Sequence, residues 1–124
     1  MNSDYFDNSA TTEPCDYAVS AMLDAAKNFG NPSSLHKLGI SAENILKDAR
    51  KTLAQSLRAE DKCFYFTSCG TESNNTAIIG TAYRKKSIGT HIITTKREHP
   101  SVLNAFRFLE SQGWSATYLD VDKN

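Results

Sequence analysis

From Cys63 onward the sequence alternates short apolar runs with longer amphipathic ones, and this alternation limits the fold more than any other feature. Cys63-Phe64-Tyr65-Phe66-Thr67 is rich in aromatics and bounded by charged Glu60-Asp61-Lys62 and by Gly70, which predicts a buried strand. A helical stretch follows to about Lys86. His91-Ile92-Ile93-Thr94-Thr95 predicts a second strand, Pro100 opens a helix, and Ser115 to Leu119 predicts a third strand after Gly113. Strand, helix, strand, helix, strand at this spacing is the sign of a parallel sheet with right-handed crossovers, so the expected fold class is α/β. In such sheets a ligand lies beyond the carboxyl ends of the strands, where the strand-to-helix loops gather. Two loops qualify: Ser68 to Ser73, and Lys96 to Ser101.

The amino-terminal half reads differently. Residues 1–12 suggest an extended arm. Pro14 suits the first turn of a helix that Gly30 would stop, with Val19, Met22, Leu23 and Ala26 on one face. Gly30 to Ser34 is a loop by composition. From about Leu35 to Leu57, Leu38, Ala42, Ile45, Leu46, Ala49, Leu53 and Leu57 recur at three or four, which predicts an amphipathic helix with Glu43, Lys47, Asp48, Arg50 and Lys51 on its polar face.

The chain of 124 residues, 40% apolar, is long enough for one domain with a core. Its 14 basic and 14 acidic side chains cancel and are interspersed, so no field favours nucleic acid or an anionic membrane surface. MNSDYFDNSATT has neither a basic n-region nor an apolar h-region, and no window approaches the roughly 18 apolar residues of a membrane span. The expected location is cytoplasmic. Cys15, Cys63 and Cys69 lack Cys-x-x-Cys spacing, and His36, His91 and His99 lie far apart, so neither a disulfide frame nor a metal site is expected.

The chemistry concentrates in the two loops. A helix start leaves backbone N–H groups without partners and carries partial positive charge, so it stabilises a phosphate without a lysine. Gly70 permits close backbone approach, and the hydroxyls of Thr71 and Ser73 can add hydrogen bonds. The stretch is neither a Walker loop nor G-x-G-x-x-G, and plain helix capping is the more common reading of such residues. His99, before Pro100, sits at the start of the next helix at the same sheet edge, where an imidazole can lie against a planar ligand or exchange protons with it; capping is again the plainer reading. Together, a phosphate cradle and an aromatic, titratable ring suit a planar phosphorylated cofactor.

Four segments in order, YFDNSATT (5–12), FGNPSSLHKLG (29–39), FTSCGTESNN (66–75) and EHPSVL (98–103), resemble the amino-terminal third of the cysteine desulfurases, most closely their nitrogen-fixation branch, within the class V aminotransferase-like, fold type I pyridoxal-phosphate enzymes. The resemblance implies part of a three-layer large domain, with an arm over 1–12 and a partial cofactor-binding domain over 13–124. It implies a homodimeric enzyme that takes sulfur from L-cysteine, leaving L-alanine and an enzyme persulfide for iron-sulfur cluster assembly, with a sulfur-acceptor scaffold protein as a further partner. Pyridoxal 5'-phosphate is the implied cofactor. Gly70 and Thr71 match the residues that bind its phosphate, and His99 matches the histidine stacked on its ring. Cys69 reads as a small loop residue, away from the family's persulfide cysteine.

No catalytic residue is expected within this chain. The resemblance places the cofactor-linked lysine, the aspartate at the pyridine nitrogen, the substrate-gripping arginine and the sulfur-bearing cysteine beyond VDKN, which implies an amino-terminal fragment inactive alone. Lys96 reads as a solvated loop lysine, Cys15 as a helix-start residue and Cys63 as a buried strand residue. A non-catalytic remnant, at most a phosphate-binding or dimer-interface module, is the alternative in another class; selenocysteine lyase or another class V aminotransferase is the alternative among enzymes. A three-stranded remnant would also leave apolar surface and a strand edge uncovered.

Overall fold

The computed structural model describes residues 4–120; the first three residues of the expected arm and the VDKN end lie outside them. The chain forms two compact units that part between Phe64 and Tyr65.

In the first unit the arm turns early. The amide of Ala10 donates to Asp7 O at 3.1 Å, and the Tyr5 hydroxyl donates to Asp7 O at 2.8 Å and Thr11 O at 3.1 Å. Helix α1 spans Asp16–Lys27, with Cys15 at its cap, Asp16 in the first turn and Lys27 in the last, charges that suit the helix dipole. It stops at Asn28, whose side-chain amide donates to Asp24 O at 2.8 Å, two residues before the glycine expected to end it. Gly30 serves a close approach instead, since a Cβ there would fall on the carbonyl of Leu38. Likewise a Cβ on Gly39 would fall on the carbonyl oxygen of Ser34 and lie 2.7 Å from that of Asn31. Both glycines of FGNPSSLHKLG thus let the 31–34 turn lie directly on the first turn of α2. Within that turn Asn31 accepts from Ser33 N through its side chain and from Ser34 N through its carbonyl, both at 2.9 Å.

Helix α2 spans Lys37–Ser56 and is capped by His36, whose Nδ1 accepts from Gly39 N at 3.3 Å. It ends in a paired-bond terminus: Ala59 N donates to Ala54 O at 2.9 Å and Arg58 N to Gln55 O at 3.2 Å, with Arg58 at φ 51°. Of α2 only Gly39 and Ala54 are buried; Met22 and Leu23 of α1 and Leu53 and Leu57 around the end of α2 stand 42% to 68% exposed.

The expected strand over Cys63–Thr67 does not form. Asp61–Cys63 is one turn of 3₁₀-helix, Phe64 is extended at φ −103° and ψ 130°, and no strand pairs with 64–67 among the described residues. Cys63 is exposed rather than buried, and Tyr65 is 83% exposed. Aromatic and β-favouring residues give an extended backbone, but a strand also requires a neighbour to complete its hydrogen-bond ladder. The sheet therefore has two strands where three were expected.

The second unit carries that sheet. Helix α3 spans Gly70–Arg84, strand β1 His91–Thr95, helix α4 Pro100–Ser111 and strand β2 Ser115–Leu119. The strands run parallel, in register from His91 opposite Ser115 to Thr95 opposite Leu119, with α4 as the crossover. Helix α3 packs on α4. Ala105, Phe106, Leu109 and Trp114 form the core, and Tyr83 meets Trp114 edge-on at 4.9 Å between ring centroids. The end of α4 fixes how the chain enters β2. Gly113 adopts φ 92° and donates to Glu110 O at 3.0 Å, while Trp114 N donates to Leu109 O at 3.1 Å, so a buried aromatic and a buried leucine close the terminus together. The α/β class is borne out.

Candidate functional site

Both loops singled out in the sequence fall in the second unit, at the starts of α3 and α4. Helix α3 begins at Gly70 because Cys69 is extended, at φ −166° and ψ 170°, and the first helical amide with a main-chain partner is that of Ser73, to Cys69 O at 3.1 Å. The amides of Gly70, Thr71 and Glu72 precede it and are offered at the helix start. A Cβ placed on Gly70 would meet nothing within 4 Å, so the space above this glycine is open.

Polar contacts stiffen the loop around those amides. The Glu72 carboxylate folds back to accept from Ser68 N and from the Ser68 hydroxyl, both at 2.7 Å, and these bonds hold it below the usual carboxylate range, the hydroxyl contributing most. Thr67 Oγ1 lies 2.6 Å from Ser73 Oγ and donates to Cys69 O at 3.2 Å. Cys69 makes no side-chain cap bond, yet its thiol is pulled below its ordinary value, first by the backbone N–H of Glu72, then by the Ser68 hydroxyl and the Thr71 N–H, against slight desolvation and the charge of Glu72. The same amides that favour a thiolate favour any anion placed there.

At the second loop His99 caps α4, with Pro100 in the first helical turn. Its Nδ1 accepts from Ser101 N at 3.1 Å and lies 2.8 Å from Ser101 Oγ, while Asn74 Nδ2 of α3 donates to the same Ser101 oxygen at 2.9 Å. Ser101 is buried, at 5% exposure, whereas His99, Gly70 and Thr71 are all exposed. The two loops are thereby joined through Asn74 and Ser101, neither of which stood out in the sequence. The signal lay in place: Asn74 is inside FTSCGTESNN and Ser101 inside EHPSVL, but a small polar residue in the first turns of a helix reads as capping unless its partner is known.

The other candidates have local roles. Lys96 extends the strand pair through its amide to Leu119 O at 3.0 Å, and its Nζ pairs with Asp120 at 2.8 Å. His91 bridges β1 and β2, with Nδ1 2.8 Å from Ser115 Oγ and Nε2 3.0 Å from Thr117 Oγ1. Cys15 is an exposed cap residue. Among the described residues no helix is long and apolar enough to cross a membrane.

A parallel strand-helix-strand unit with one glycine-opened helix start and one histidine-capped helix start places the chain in the α/β class, in which ligands lie at the carboxyl ends of the strands, and does not specify a reaction. The aminotransferase class-V family matches residues 4–124, and the chain belongs to that family, whose members are pyridoxal-phosphate-dependent. It is 52% identical over 120 residues to a NifS/IcsS protein homolog of Lactobacillus delbrueckii subsp. bulgaricus, covering 96% of this chain and 31% of that protein. It is 48% identical over 120 residues to the cysteine desulfurase IscS of Methanosarcina thermophila, covering 96% of this chain and 30% of that protein. Among solved structures it superposes on a NifS-like protein with a TM-score of 0.86 at 35% identity, over 93% of this chain and 32% of that one. It superposes on SspA in complex with cysteine with a TM-score of 0.84 at 38% identity, over 94% of this chain and 34% of that one. The likeness to cysteine desulfurases read from the four motifs is borne out, and the chain spans about a third of the length of these relatives.

Proposed function

We propose that this chain supplies the phosphate- and ring-holding part of a pyridoxal-phosphate-dependent cysteine desulfurase, with L-cysteine as substrate of the complete enzyme. The observation that carries the reading is the match of residues 4–124 to the aminotransferase class-V family together with the likeness to cysteine desulfurases; the helix start at Gly70, with its amides offered and open space above it, is compatible with a phosphate there. The residues fit the cofactor. Gly70 and Thr71 offer backbone N–H groups to the phosphate, with the Thr71 hydroxyl beside them, and Glu72 is occupied by Ser68, which reduces its repulsion of an incoming anion. The exposed His99 offers its ring to the flat face of the pyridine and its Nε2 to a neighbouring polar atom. Pyridoxal phosphate, when bound, supplies an electron sink for bond cleavage next to the substrate's α-carbon. The protein's contribution in this chain is binding and orientation. A homodimer, a sulfur-acceptor scaffold and a cytoplasmic location belong to the same reading and are supported by the relatives' kind of enzyme.

The test separates binding from folding. In the full-length protein, Gly70→Ala leaves the thermal midpoint nearly unchanged, because the added methyl meets no atom of the described residues. It weakens pyridoxal phosphate binding by about tenfold or more, the worth of a lost charge-assisted hydrogen bond, and leaves binding of unphosphorylated pyridoxal nearly unaltered. Equal effects on the two ligands would count against a phosphate at α3. Release of sulfide and alanine from L-cysteine tests the activity itself.

A further inference from the structure

The contact between Asn74, Ser101 and His99 has a directional logic. A backbone N–H can only donate, so the 3.1 Å bond from Ser101 N makes His99 Nδ1 an acceptor, a ring nitrogen with a lone pair. Ser101 Oγ, 2.8 Å from that same Nδ1, has no proton to accept from it and meets it as a donor, sharing the single lone pair with the Ser101 N–H. With its proton committed, the hydroxyl offers only lone pairs to Asn74, which fixes the Asn74 amide with its NH₂ toward Ser101 at 2.9 Å. Every donor in the chain points one way, from Asn74 through Ser101 to His99, and a neutral His99 is left with its proton on Nε2.

We propose that Ser101, keyed by Asn74, is a positioning residue that locks His99 in the Nε2–H tautomer and fixes its ring orientation relative to the start of α3. Three features give the lock its strength. Ser101 is buried, so water does not compete for its hydroxyl. Asn74 lies one turn into α3, the helix that offers the amides of Gly70 and Thr71, so the histidine is held in register with the anion site. The donor Ser101 N is fixed by the backbone of α4, so only rotation of the His99 ring itself breaks that bond. Among the described residues Nε2 has no partner, so a ligand placed against it would meet a donor. What it would recognise is therefore a hydrogen-bond acceptor, such as an oxygen of a ligand. That last consequence rests on the cofactor reading above; the tautomer does not.

The tautomer is read from imidazole ¹⁵N and ¹³C chemical shifts in cofactor-free full-length protein with labelled histidine, at alkaline pH where a histidine ring is neutral. The His99 signals are assigned by their loss in His99→Gln. The Nε2–H form predominates in the unsubstituted protein. Ser101→Ala lowers the ratio of Nε2–H to Nδ1–H about fivefold, the effect of one hydrogen bond, and Ser101→Thr restores it. Asn74→Ala, which keeps the hydroxyl but not its orientation, lowers the ratio about twofold. A predominant Nδ1–H form, or a ratio unmoved by Ser101→Ala, would overturn the lock. If Ser101→Ala does not fold, Asn74→Ala decides, and an unchanged ratio there overturns it too. Because no cofactor is present in this measurement, its failure is distinct from failure of the pyridoxal phosphate binding test.

Discussion

The two units of the chain both carry amphipathic helices and reach different ends. Residues 65–120 close around Ala105, Phe106, Leu109 and Trp114, with Leu109 and Ala105 fully buried. Residues 4–64 contain the longer helix, yet α1 has no buried residue and α2 buries only Gly39 and Ala54. Amphipathic periodicity is present in both. What differs is whether the local topology folds an apolar face back on itself: the crossover helix α4 lies against its own strands, while α1 and α2 keep their leucines and Met22 outward. Periodicity specifies a face to be covered, and only topology determines whether the same unit covers it.

The largest expected effect tests that contrast directly. Leu109→Ala removes a fully buried side chain and costs about 3 kcal/mol by the usual range for a leucine cavity, read as an earlier urea transition of Trp114 fluorescence, the single tryptophan of the chain. Leu53→Ala, at 42% exposure, costs about 0.5 kcal/mol or less, read by hydrogen exchange over α2. Equal costs would mean that the α2 face is covered as well as the α4 core, and the contrast would fail.

A smaller effect compares the two helix ends, which use the same paired bonds with different residues. Gly113, at φ 92°, occupies a conformation that suits glycine, and Gly113→Ala costs about 1 kcal/mol although its Cβ would meet nothing. Arg58, at φ 51°, holds the corresponding place after α2 and carries the left-handed strain of a side chain. Arg58→Gly is therefore neutral to stabilising, by at most about 1 kcal/mol. Thermal melts of the two variants check it: both moving down would show that Arg58 contributes a side-chain contact that outweighs its backbone strain.

Much of this was legible in the sequence and part was not, for physical reasons. The strands at His91–Thr95 and Ser115–Leu119 and the helix opened by Pro100 were readable because alternation, proline and glycine act locally. The strand expected at Cys63–Thr67 does not form because pairing is non-local: nothing in these five residues states that a neighbour is at hand. Gly30 was read as a helix stop, whereas its missing Cβ is needed by Leu38, eight residues on, a close approach that no local pattern announces. At the site, Gly70, Thr71 and His99 stood out by residue type and position, while Asn74 and Ser101 became visible only when 27 residues of separation closed to a 2.9 Å bond.

The smallest effect concerns the loop that begins the better-packed unit, and it asks whether that unit depends on its polar contacts or on its core. The Glu72 carboxylate is held below its ordinary value by the hydroxyl and then the amide of Ser68, so its folded-state value lies under that of the unfolded chain. A carboxylate lowered in this way stabilises the fold fully above its unfolded value, and the contribution is lost as pH falls through the folded one. Glu72 is fully exposed, which keeps the contribution small and local. Acidification should therefore lower the protection factor, which corrects the exchange rate for its intrinsic pH dependence, at Ser68 and through the first turn of α3, while protection around Leu109 stays high. Glu72→Gln should show the faster Ser68 exchange at neutral pH and a flatter acid response. If instead the whole of 65–120 loosens with Glu72, the loop and the core form one cooperative element, and the open helix start would be maintained by the same packing that buries Leu109.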